Sequence, residues 1–146
     1  MPPRAVKRLA ILSQPQMIQV TCAIIEKDGK VLCAQRSEKM RHPLKWEFPG
    51  GKLEPGETLA ACLQREIQEE LGLVISIREA LPPNRHIYPG APEICLYPFI
   101  CTVQAGLLAV KEHKQIAWLP LNKLKTLDWA KADIPILEGY LVLKQG

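Results

Sequence analysis

The stretch FPGGKLEPGETLAACLQREIQEELGL (residues 48–73) contains the clearest helix signal in the sequence. Apolar residues recur at every fourth position of its second half, at Leu59, Leu63, Ile67 and Leu71. This spacing places them on one face of an α-helix, where they can pack against a core. Thr58 is a suitable N-cap, and Gly72 is suited to the left-handed conformation that ends many helices. The sequence therefore predicts a helix over residues 58–71.

The same helix carries carboxylates beside its apolar face. At about 100° per residue, Glu66, Glu69 and Glu70 fall within an arc of roughly 100°. Like charges four residues apart destabilise a helix by about 0.2–0.5 kcal/mol per pair, and acids near its C-terminus also oppose the helix dipole. The residues alone allow two interpretations. The face is either a solvated surface with an Arg65–Glu69 ion pair or a binding site for a divalent cation, since Mg²⁺ prefers oxygen ligands.

The loop before the helix fits the second interpretation. Gly50 and Gly51 permit a tight backbone turn that could present a carbonyl oxygen to a metal ion. Lys52 follows them and could reach a phosphate group, and Glu57 could add a carboxylate from the end of the loop. The stretch therefore combines hard oxygen ligands with a positive charge suited to an anionic substrate.

The rest of the chain predicts strands separated by turns, and then a helix. Runs rich in β-branched and apolar residues predict strands at residues 17–26, 30–37, 46–48, 73–80, 94–104 and 116–119. Asp28-Gly29 predicts a hairpin turn, Pro49-Gly50-Gly51 is predicted to break the third strand, and residues 82–92 are predicted to form a loop. A helical turn near residues 121–127 precedes a last helix that is predicted to start at Asp133, its N-cap, and to end near residue 143. This order predicts an α/β (α+β) fold in which helices cover a mixed sheet.

Length and composition indicate one small domain without a membrane segment. The chain has 146 residues, of which 47% are hydrophobic and 23% charged, and its net charge is +4. No apolar run approaches the roughly 20 residues that span a bilayer. The basic residues form no long run, which argues against binding of a nucleic acid polymer. We expect residues 1–16 to form an N-terminal arm or an extra edge segment and residues 17–146 to form the domain.

The five cysteines are scattered along the chain, without the CxxC spacing of many zinc and redox sites. Four of them lie within apolar stretches. This pattern favours buried, reduced thiols rather than disulfides, and therefore a cytoplasmic protein.

A fixed spacing of residues connects the acidic helix to a known family. Gly51, Glu57 and the run REIQEELGL at residues 65–73 match the Nudix box without departure. The neighbouring WEFPGGK, residues 46–52, resembles the MutT-like branch of the Nudix hydrolases. The resemblance implies a Nudix-type α/β/α sandwich with a mixed β-sheet, a catalytic loop-helix and a C-terminal helix. It also implies hydrolysis of a nucleoside diphosphate linked to another moiety, with Mg²⁺ or Mn²⁺ as cofactor.

The resemblance assigns roles to the loop and the helix. It implies metal ligation by one backbone carbonyl and four carboxylates, at Gly50, Glu57, Glu66, Glu69 and Glu70. Glu57 would act by supporting the loop or by reaching the metal through water. Arg65 would hold Glu57 and Glu69 in place. Lys52 would face a substrate phosphate or the general base.

A second loop, Lys111-Glu112-His113, precedes Trp118 at the spacing seen in MutT-like proteins. The resemblance implies that Glu112 binds metal or acts as the general base, and Glu69 is the other candidate for the base. His113 is expected to be structural or solvated.

The resemblance also implies a set of substrate-binding residues, namely Arg36, Phe48, Lys52, Arg85 and Asp133. Arg36 would contact phosphate or sugar, and Lys52 would contact a phosphate. Arg85 belongs to residues 84–87, which resemble a base-side segment of the MutT-like branch, whereas residues 88–92 depart from that branch as an insertion. Asp133 would contact the edge of the base, and its alternative role is the N-cap of the last helix. Phe48 and Ile134 would wall the base pocket or belong to the core.

The implied reaction is hydrolysis of a (deoxy)nucleoside triphosphate to a nucleoside monophosphate and pyrophosphate, by attack of water on the β-phosphorus. The residues do not separate an oxidised purine such as 8-oxo-dGTP from CTP or a modified dCTP. Two alternatives stay open: another Nudix substrate, such as ADP-ribose, a nucleotide sugar or a dinucleotide, and a non-catalytic nucleotide sensor. The protein is expected to act on free nucleotides, as a monomer or a homodimer.

Overall fold

The computed structural model describes residues 17–146, and the predicted N-terminal arm lies outside them. The strands are β1 (Ile18–Lys27), β2 (Lys30–Gln35), β3 (Trp46–Glu47), β4 (Gly50–Lys52), β5 (Leu73–Ala80), β6 (Asn84–His86), β7 (Ile94–Gly106) and β8 (Gln115–Pro120). The α-helices are α1 (Leu59–Leu71) and α2 (Ile134–Gln145), and Leu121–Thr126 is a 3-10 helix. The predicted strands and helices are thus confirmed, with small shifts at their ends. None of the helices in residues 17–146 is long and apolar enough to cross a membrane.

The strands form one mixed sheet with β1 at its centre. The order along its main path is β3-β2-β1-β7-β5, while β4 pairs with β1, β6 with β7 and β8 with β2. β1 and β7 run parallel, whereas β4 pairs antiparallel with β1 at Thr21↔Gly51 and Cys22↔Gly50. The loop that contains Gly50 and Gly51 is therefore fixed against the centre of the sheet.

Each face of the sheet packs against one helix. Neighbouring residues of a strand point to opposite faces, so Cys22 and Ile24 join a core with α2, while Ala23 and Ile25 join a core with α1. The predicted apolar face of α1 is buried at Leu63, Ile67 and Leu71. Each such side chain stabilises the fold by about 1.5–3 kcal/mol relative to an exposed position. The protein is therefore an α/β/α sandwich, which confirms the predicted fold class.

Two local predictions are wrong in detail. Residues 82–92 are not a loop throughout, because residues 84–86 form β6 and pair with β7. The chain also re-enters the sheet at Gly50 as β4, directly after the predicted break. Both strands contain only three residues, too few to show an alternating pattern. β4 pairs with β1, which is distant in sequence, whereas β6 pairs with the next strand, β7, across residues 87–93.

Asp133 precedes α2 but does not cap it with its side chain. Its backbone is already in the right-handed helical region. Its carboxyl oxygen Oδ2 accepts a hydrogen bond from the backbone N–H of Phe48 at 3.0 Å. Asp133 is therefore at the N-cap position, as predicted, but capping by its side chain is wrong, because the side chain makes a contact across the fold instead.

Candidate active site

Helix α1 fixes the position of the acidic face. The hydroxyl oxygen of Thr58 accepts a hydrogen bond from the N–H of Ala61 at 3.1 Å, which caps the first turn. Gly72 adopts a φ of +70°, and its N–H donates to the carbonyl oxygen of Gln68. Both predicted helix ends are therefore confirmed. Because the apolar face is held in the core, the register of the carboxylates along the helix is fixed as well.

Arg65 contacts most of the acidic residues around the loop and helix. Its Nε and Nη2 donate to the two carboxylate oxygens of Glu57 at 2.7 and 2.8 Å. Its Nη1 donates to Glu66 at 2.9 Å and to Glu69 at 3.3 Å. The hydrogen bonds from Arg65 are the main reason that the pKa of Glu57 falls to about 2. Arg65 thus makes both contacts expected from the sequence, and it adds a third, with Glu66.

Glu70 lies at a more buried position on the same face. Its Oε2 atom is buried and has no hydrogen-bond partner among residues 17–146. The pKa of Glu70 is raised to about 8, first by burial and then by the charges of Glu66, Glu47 and Glu112, while a hydrogen bond from the backbone of Gly50 acts in the opposite direction. Like charges therefore surround a carboxylate in which one oxygen lacks a partner. A divalent cation fits this position, because it supplies both an opposite charge and a partner for the oxygen.

The carboxylates are not gathered into a ready-made ligand cage. Within residues 17–146, no three Asp, Glu, His or Cys side chains are grouped closely enough to hold a metal ion. Arg65 explains part of this arrangement, since it binds oxygens of Glu57, Glu66 and Glu69. A cation at this face would compete with Arg65 for those oxygens.

The glycine loop approaches its neighbours too closely for a side chain. A Cβ atom on Gly51 would lie 2.2 Å from the carboxyl carbon of Glu66, and one on Gly50 would lie 1.9 Å from the carbonyl oxygen of Thr21. The hydroxyl of Thr21 also donates to the carbonyl oxygen of Gly51 at 3.2 Å. These contacts hold the loop between the sheet and the acidic helix; a side chain at Gly50 would displace backbone, and one at Gly51 would displace the carboxylate of Glu66.

A cavity of about 350 Å³ adjoins the acidic face. Its lining includes Glu70 and the glycine loop, together with apolar residues of β1 and β7. It also includes four of the residues predicted to bind substrate, namely Arg36, Phe48, Lys52 and Asp133. The structure therefore places positive charge, an aromatic ring and a carboxyl group around one space of small-molecule size.

The charge of Glu47 acts on the pKa of Asp133, another carboxyl group of the cavity wall. Asp133 is buried, and burial raises its pKa to about 8. The charge of Glu47 raises this pKa as well, while the hydrogen bond from Phe48 and the charge of Arg36 act in the opposite direction. Asp133 therefore carries a proton at neutral pH and can donate a hydrogen bond as well as accept one.

Glu47 is a candidate site residue that sequence reasoning missed. One of its oxygens accepts a hydrogen bond from Nη1 of Arg36 at 2.7 Å, and the other lies 2.8 Å from Nε2 of His113. His113 was expected to be either structural or solvated, and it is buried, as a structural residue would be. The available signal was the position of Glu47, a charged residue between Trp46 and Phe48 in a short strand. Neighbouring residues of a strand face opposite sides, so in the predicted strand of residues 46–48 the side chain of Glu47 points away from those of Trp46 and Phe48.

Seven residues predicted for the site lie outside the cavity lining: Glu57, Arg65, Glu66 and Glu69, which form the acidic face beside it, and Glu112, Arg85 and Ile134. Glu112 is exposed, although its charge acts on Glu70. Arg85 pairs with Glu93 at 3.1 Å, and its side chain is 65% exposed. Ile134, proposed as a wall of the pocket, is 38% exposed. The roles of Glu112 and Arg85 stay predictions.

A mixed sheet between two helices, with a glycine loop and an acidic helix beside a cavity, is the architecture of the Nudix class. The family model described as "NUDIX domain" matches residues 15–140, and the chain belongs to this family. Nudix hydrolases generally need a divalent metal ion.

Relatives with known names extend the comparison. The chain is 36% identical over 129 residues to the CTP pyrophosphohydrolase of Escherichia coli K12, and the match covers 88% of this chain and 95% of that protein. It is 37% identical over 127 residues to the 8-oxo-dGTP diphosphatase of Haemophilus influenzae, with coverage of 86% and 93%. The solution structure of MutT, a Nudix family protein of methicillin-resistant Staphylococcus aureus 252, matches with a TM-score of 0.73 and 42% identity, covering 89% of this chain and 99% of that one. The predicted resemblance to MutT-like Nudix hydrolases is therefore confirmed.

Proposed function

We propose that this protein is a Nudix hydrolase that converts a (deoxy)nucleoside triphosphate to a nucleoside monophosphate and pyrophosphate and so removes unwanted nucleotides from the cellular pool. The observation that carries the proposal is a single cavity lined both by Glu70 of the acidic helix and by Asp133. Glu70 would lie near the metal ion and the phosphates of a bound nucleotide, and Asp133 is suited to contact the base. The names of the relatives, CTP pyrophosphohydrolase and 8-oxo-dGTP diphosphatase, support the same reaction class.

The proposed cofactor is Mg²⁺, and Mn²⁺ is a suitable substitute. The residues that would hold it are those of the loop and helix, together with the acid of the second loop: Gly50, Glu57, Glu66, Glu69, Glu70 and Glu112. The partnerless oxygen of Glu70 supports this assignment. A bound divalent cation supplies positive charge that neutralises phosphate oxygens and makes water a better nucleophile.

The side chains of the site divide the remaining chemistry. Lys52 and Arg36 both line the cavity, and their positive charges favour a polyphosphate there and stabilise negative charge that builds up on it. A carboxylate, Glu69 or Glu112, would take the proton of the attacking water. The new bond joins the water oxygen to the β-phosphorus. The bond from that phosphorus to the oxygen bridging the α-phosphorus breaks, and this oxygen leaves with the monophosphate.

Asp133 and Glu47 would recognise the base. Protonated Asp133 can donate a hydrogen bond, and Glu47, which lines the same cavity and whose charge acts on Asp133, can accept one. A donor and an acceptor together suit a base edge that presents an acceptor next to an amino group, as N3 and N4 of cytosine and N1 and N6 of adenine do. The names of the relatives make cytosine nucleotides and 8-oxo-dGTP the first candidates.

A nucleotide panel with Mg²⁺ or Mn²⁺ tests the proposal. The panel contains CTP, 5-methyl-dCTP, 8-oxo-dGTP, the four normal dNTPs, ADP-ribose and a nucleotide sugar, and chromatography measures monophosphate and pyrophosphate. In heavy-oxygen water, the label is expected in pyrophosphate, because water attacks the β-phosphorus. If ADP-ribose or the nucleotide sugar is hydrolysed faster than every nucleoside triphosphate of the panel, the proposed substrate class is wrong. Tight binding without turnover would indicate a sensor.

The protein is proposed to act on free nucleotides in the cytoplasm. All five cysteines are free and buried, as a reducing compartment allows. The active form is proposed to be a monomer or a homodimer, which sedimentation measurements distinguish.

We expect Arg65→Lys to lower kcat/KM by roughly 10- to 100-fold, the usual effect of losing a side chain that orients metal ligands. Lysine keeps the charge but lacks the planar fork, so it cannot bind both oxygens of Glu57 and still reach Glu66. Steady-state hydrolysis of the best panel substrate measures the effect. The matched control is Arg78→Lys, a change of an exposed arginine on β5. Equal activities of the two variants would show that Arg65 does not organise the site.

We expect Asp133→Asn to flatten the dependence of stability on pH. The pKa of Asp133 is raised from 3.8 to about 8, so its stabilising effect is fully present below about pH 4 and is lost as the pH rises through about 8. Asparagine is similar in shape to the protonated acid and does not titrate. Between about pH 4 and 9, the difference in unfolding free energy between the two proteins should change by at least about 1.4 kcal/mol, the equivalent of one pKa unit. Urea denaturation of the metal-free proteins measures this difference, and parallel curves would contradict the assignment.

A further inference from the structure

The segment that follows β6 forms part of the cavity wall. Tyr88 is half-buried and lines the cavity together with Ala91 and Pro92. Residues 88–92 are expected from the sequence to be an insertion relative to the MutT-like branch.

Tyr88 joins this segment to a second loop on the cavity. Its ring stacks on His42 with a centroid distance of 3.9 Å, and His86 contacts it edge-on at 4.4 Å. His42 lies between β2 and β3, has a φ of +51°, and also lines the cavity. Two loops that are distant in sequence are thus joined by stacked rings in the cavity wall.

Tyr88 also holds the residue that precedes Asp133. The N–H of Ala132 donates a hydrogen bond to the hydroxyl oxygen of Tyr88 at 3.0 Å. The carbonyl oxygen of Ala132 accepts a hydrogen bond from Nδ2 of Asn84 at 3.0 Å. Both polar backbone groups of Ala132 are therefore bound by side chains of the segment 84–88, and the backbone of Asp133 is fixed as a result.

We propose that Tyr88 is a positioning residue that determines base specificity, because it fixes the backbone before Asp133 and forms an aromatic wall with His42. This inference rests on the proposed function, since it assumes that the cavity receives the base of a nucleotide. The ligand it concerns is a flat heteroaromatic ring. Tyr88 acts on the choice among bases and not on the bond that is cleaved, because its contacts lead to Ala132, His42 and His86 rather than to the acidic helix.

Two variants separate the hydroxyl from the ring. Tyr88→Phe keeps the stack on His42 and removes the acceptor for the Ala132 N–H. We expect it to lower the ratio of kcat/KM between the best nucleotide and one of the other base class by roughly three- to tenfold, the effect of one hydrogen bond. The change should arise in KM, with kcat within about twofold. Tyr88→Ala removes the ring as well and should reduce the same ratio further.

Inhibition by pyrophosphate supplies a readout of the phosphate end of the site. Its inhibition constant should not change in either variant, because none of these contacts of Tyr88 involves the acidic helix. Tyr97→Phe is the matched control: Tyr97 is another partly buried tyrosine, but it does not line the cavity. It should leave the base ratio unchanged.

The outcomes of this experiment are distinguishable from those of the nucleotide panel. An unchanged base ratio in both Tyr88 variants would overturn the inference. A parallel loss of kcat, pyrophosphate inhibition and thermal stability would also overturn it, because Tyr88 would then only support the fold. If the wild type hydrolyses no nucleotide, the proposed function fails instead. The ratio of nucleotide Kd values, measured by calorimetry on the same variants, then decides the role of Tyr88.

Discussion

Replacing Glu70 with glutamine is expected to lower kcat by roughly 10²- to 10⁴-fold, the range found when a group that acts at the reacting atoms is removed. Glutamine keeps the size of the side chain but loses the negative charge. A divalent cation would therefore lose the carboxylate oxygen that has no other partner. Hydrolysis of the best panel substrate at saturating Mg²⁺ measures the loss.

The same substitution should make the metal-free protein more stable in alkaline solution. The raised pKa of Glu70, about 8, means that the stabilising protonated form is complete below about pH 4.5 and is lost as the pH rises through about 8. Above that pH, the wild type holds a charged carboxylate close to Glu66 and Glu47, whereas the glutamine variant does not. Urea denaturation in the presence of a chelator, at about pH 4.5 and pH 9, should show that the stability of Glu70→Gln rises relative to the wild type as the pH increases.

A functional carboxylate is recognised when its substitution lowers activity but raises stability. Substitution of a carboxylate that supports the fold would lower both. The matched control is Glu138→Gln, an exposed carboxylate on α2, which should change neither quantity. Normal turnover by Glu70→Gln would remove Glu70 from the cation site.

The sequence predicted α1 accurately because its determinants are local. The four-residue spacing, the Thr58 cap and the Gly72 stop all lie within one short stretch, and each has the predicted conformation in the structure. The strand order could not be derived in the same way, because β1 and β7 are parallel neighbours separated by residues 28–93. Only packing of the complete sheet defines that pairing.

The candidate site shows the same division between local and distant contacts. The Arg65 contact with Glu69, four residues away, follows from helix geometry, and it is present at 3.3 Å. Asp133 was expected either to read a base or to cap its helix, and capping by its side chain is wrong because Phe48, far away in sequence, supplies the competing N–H. Glu47 was missed because its partners Arg36 and His113 come from two other parts of the chain. Burial and tertiary partners, rather than residue type, therefore decide what these carboxyl groups do.

Gly51→Ala is expected to weaken Mg²⁺ binding and to lower kcat, each by roughly 10- to 100-fold, while the protein stays folded. The added Cβ atom would lie 2.2 Å from the carboxyl carbon of Glu66. Gly51 itself has little freedom to move, because it pairs with Thr21 in the sheet and its carbonyl oxygen accepts the Thr21 hydroxyl at 3.2 Å. The carboxylate of Glu66 must therefore move, and it leaves the position in which Arg65 holds it at 2.9 Å. Calorimetric titration with Mg²⁺ and steady-state kinetics measure the two effects.

Substitutions of two other glycines show that Gly51→Ala should affect Mg²⁺ binding and turnover rather than folding. A Cβ atom on Gly50 would meet the Thr21 carbonyl oxygen at 1.9 Å, so Gly50→Ala must displace backbone and should unfold the protein. Gly139 lies within α2 with nothing within 4 Å of such an atom, so Gly139→Ala should stabilise the protein by about 0.5–1 kcal/mol without changing turnover. Gly51 differs from both, because the group it would displace is a carboxylate of the acidic face. If Gly51→Ala keeps the Mg²⁺ affinity and turnover of the wild type, the position of Glu66 is not what binds the cation, and the assignment of this face is wrong.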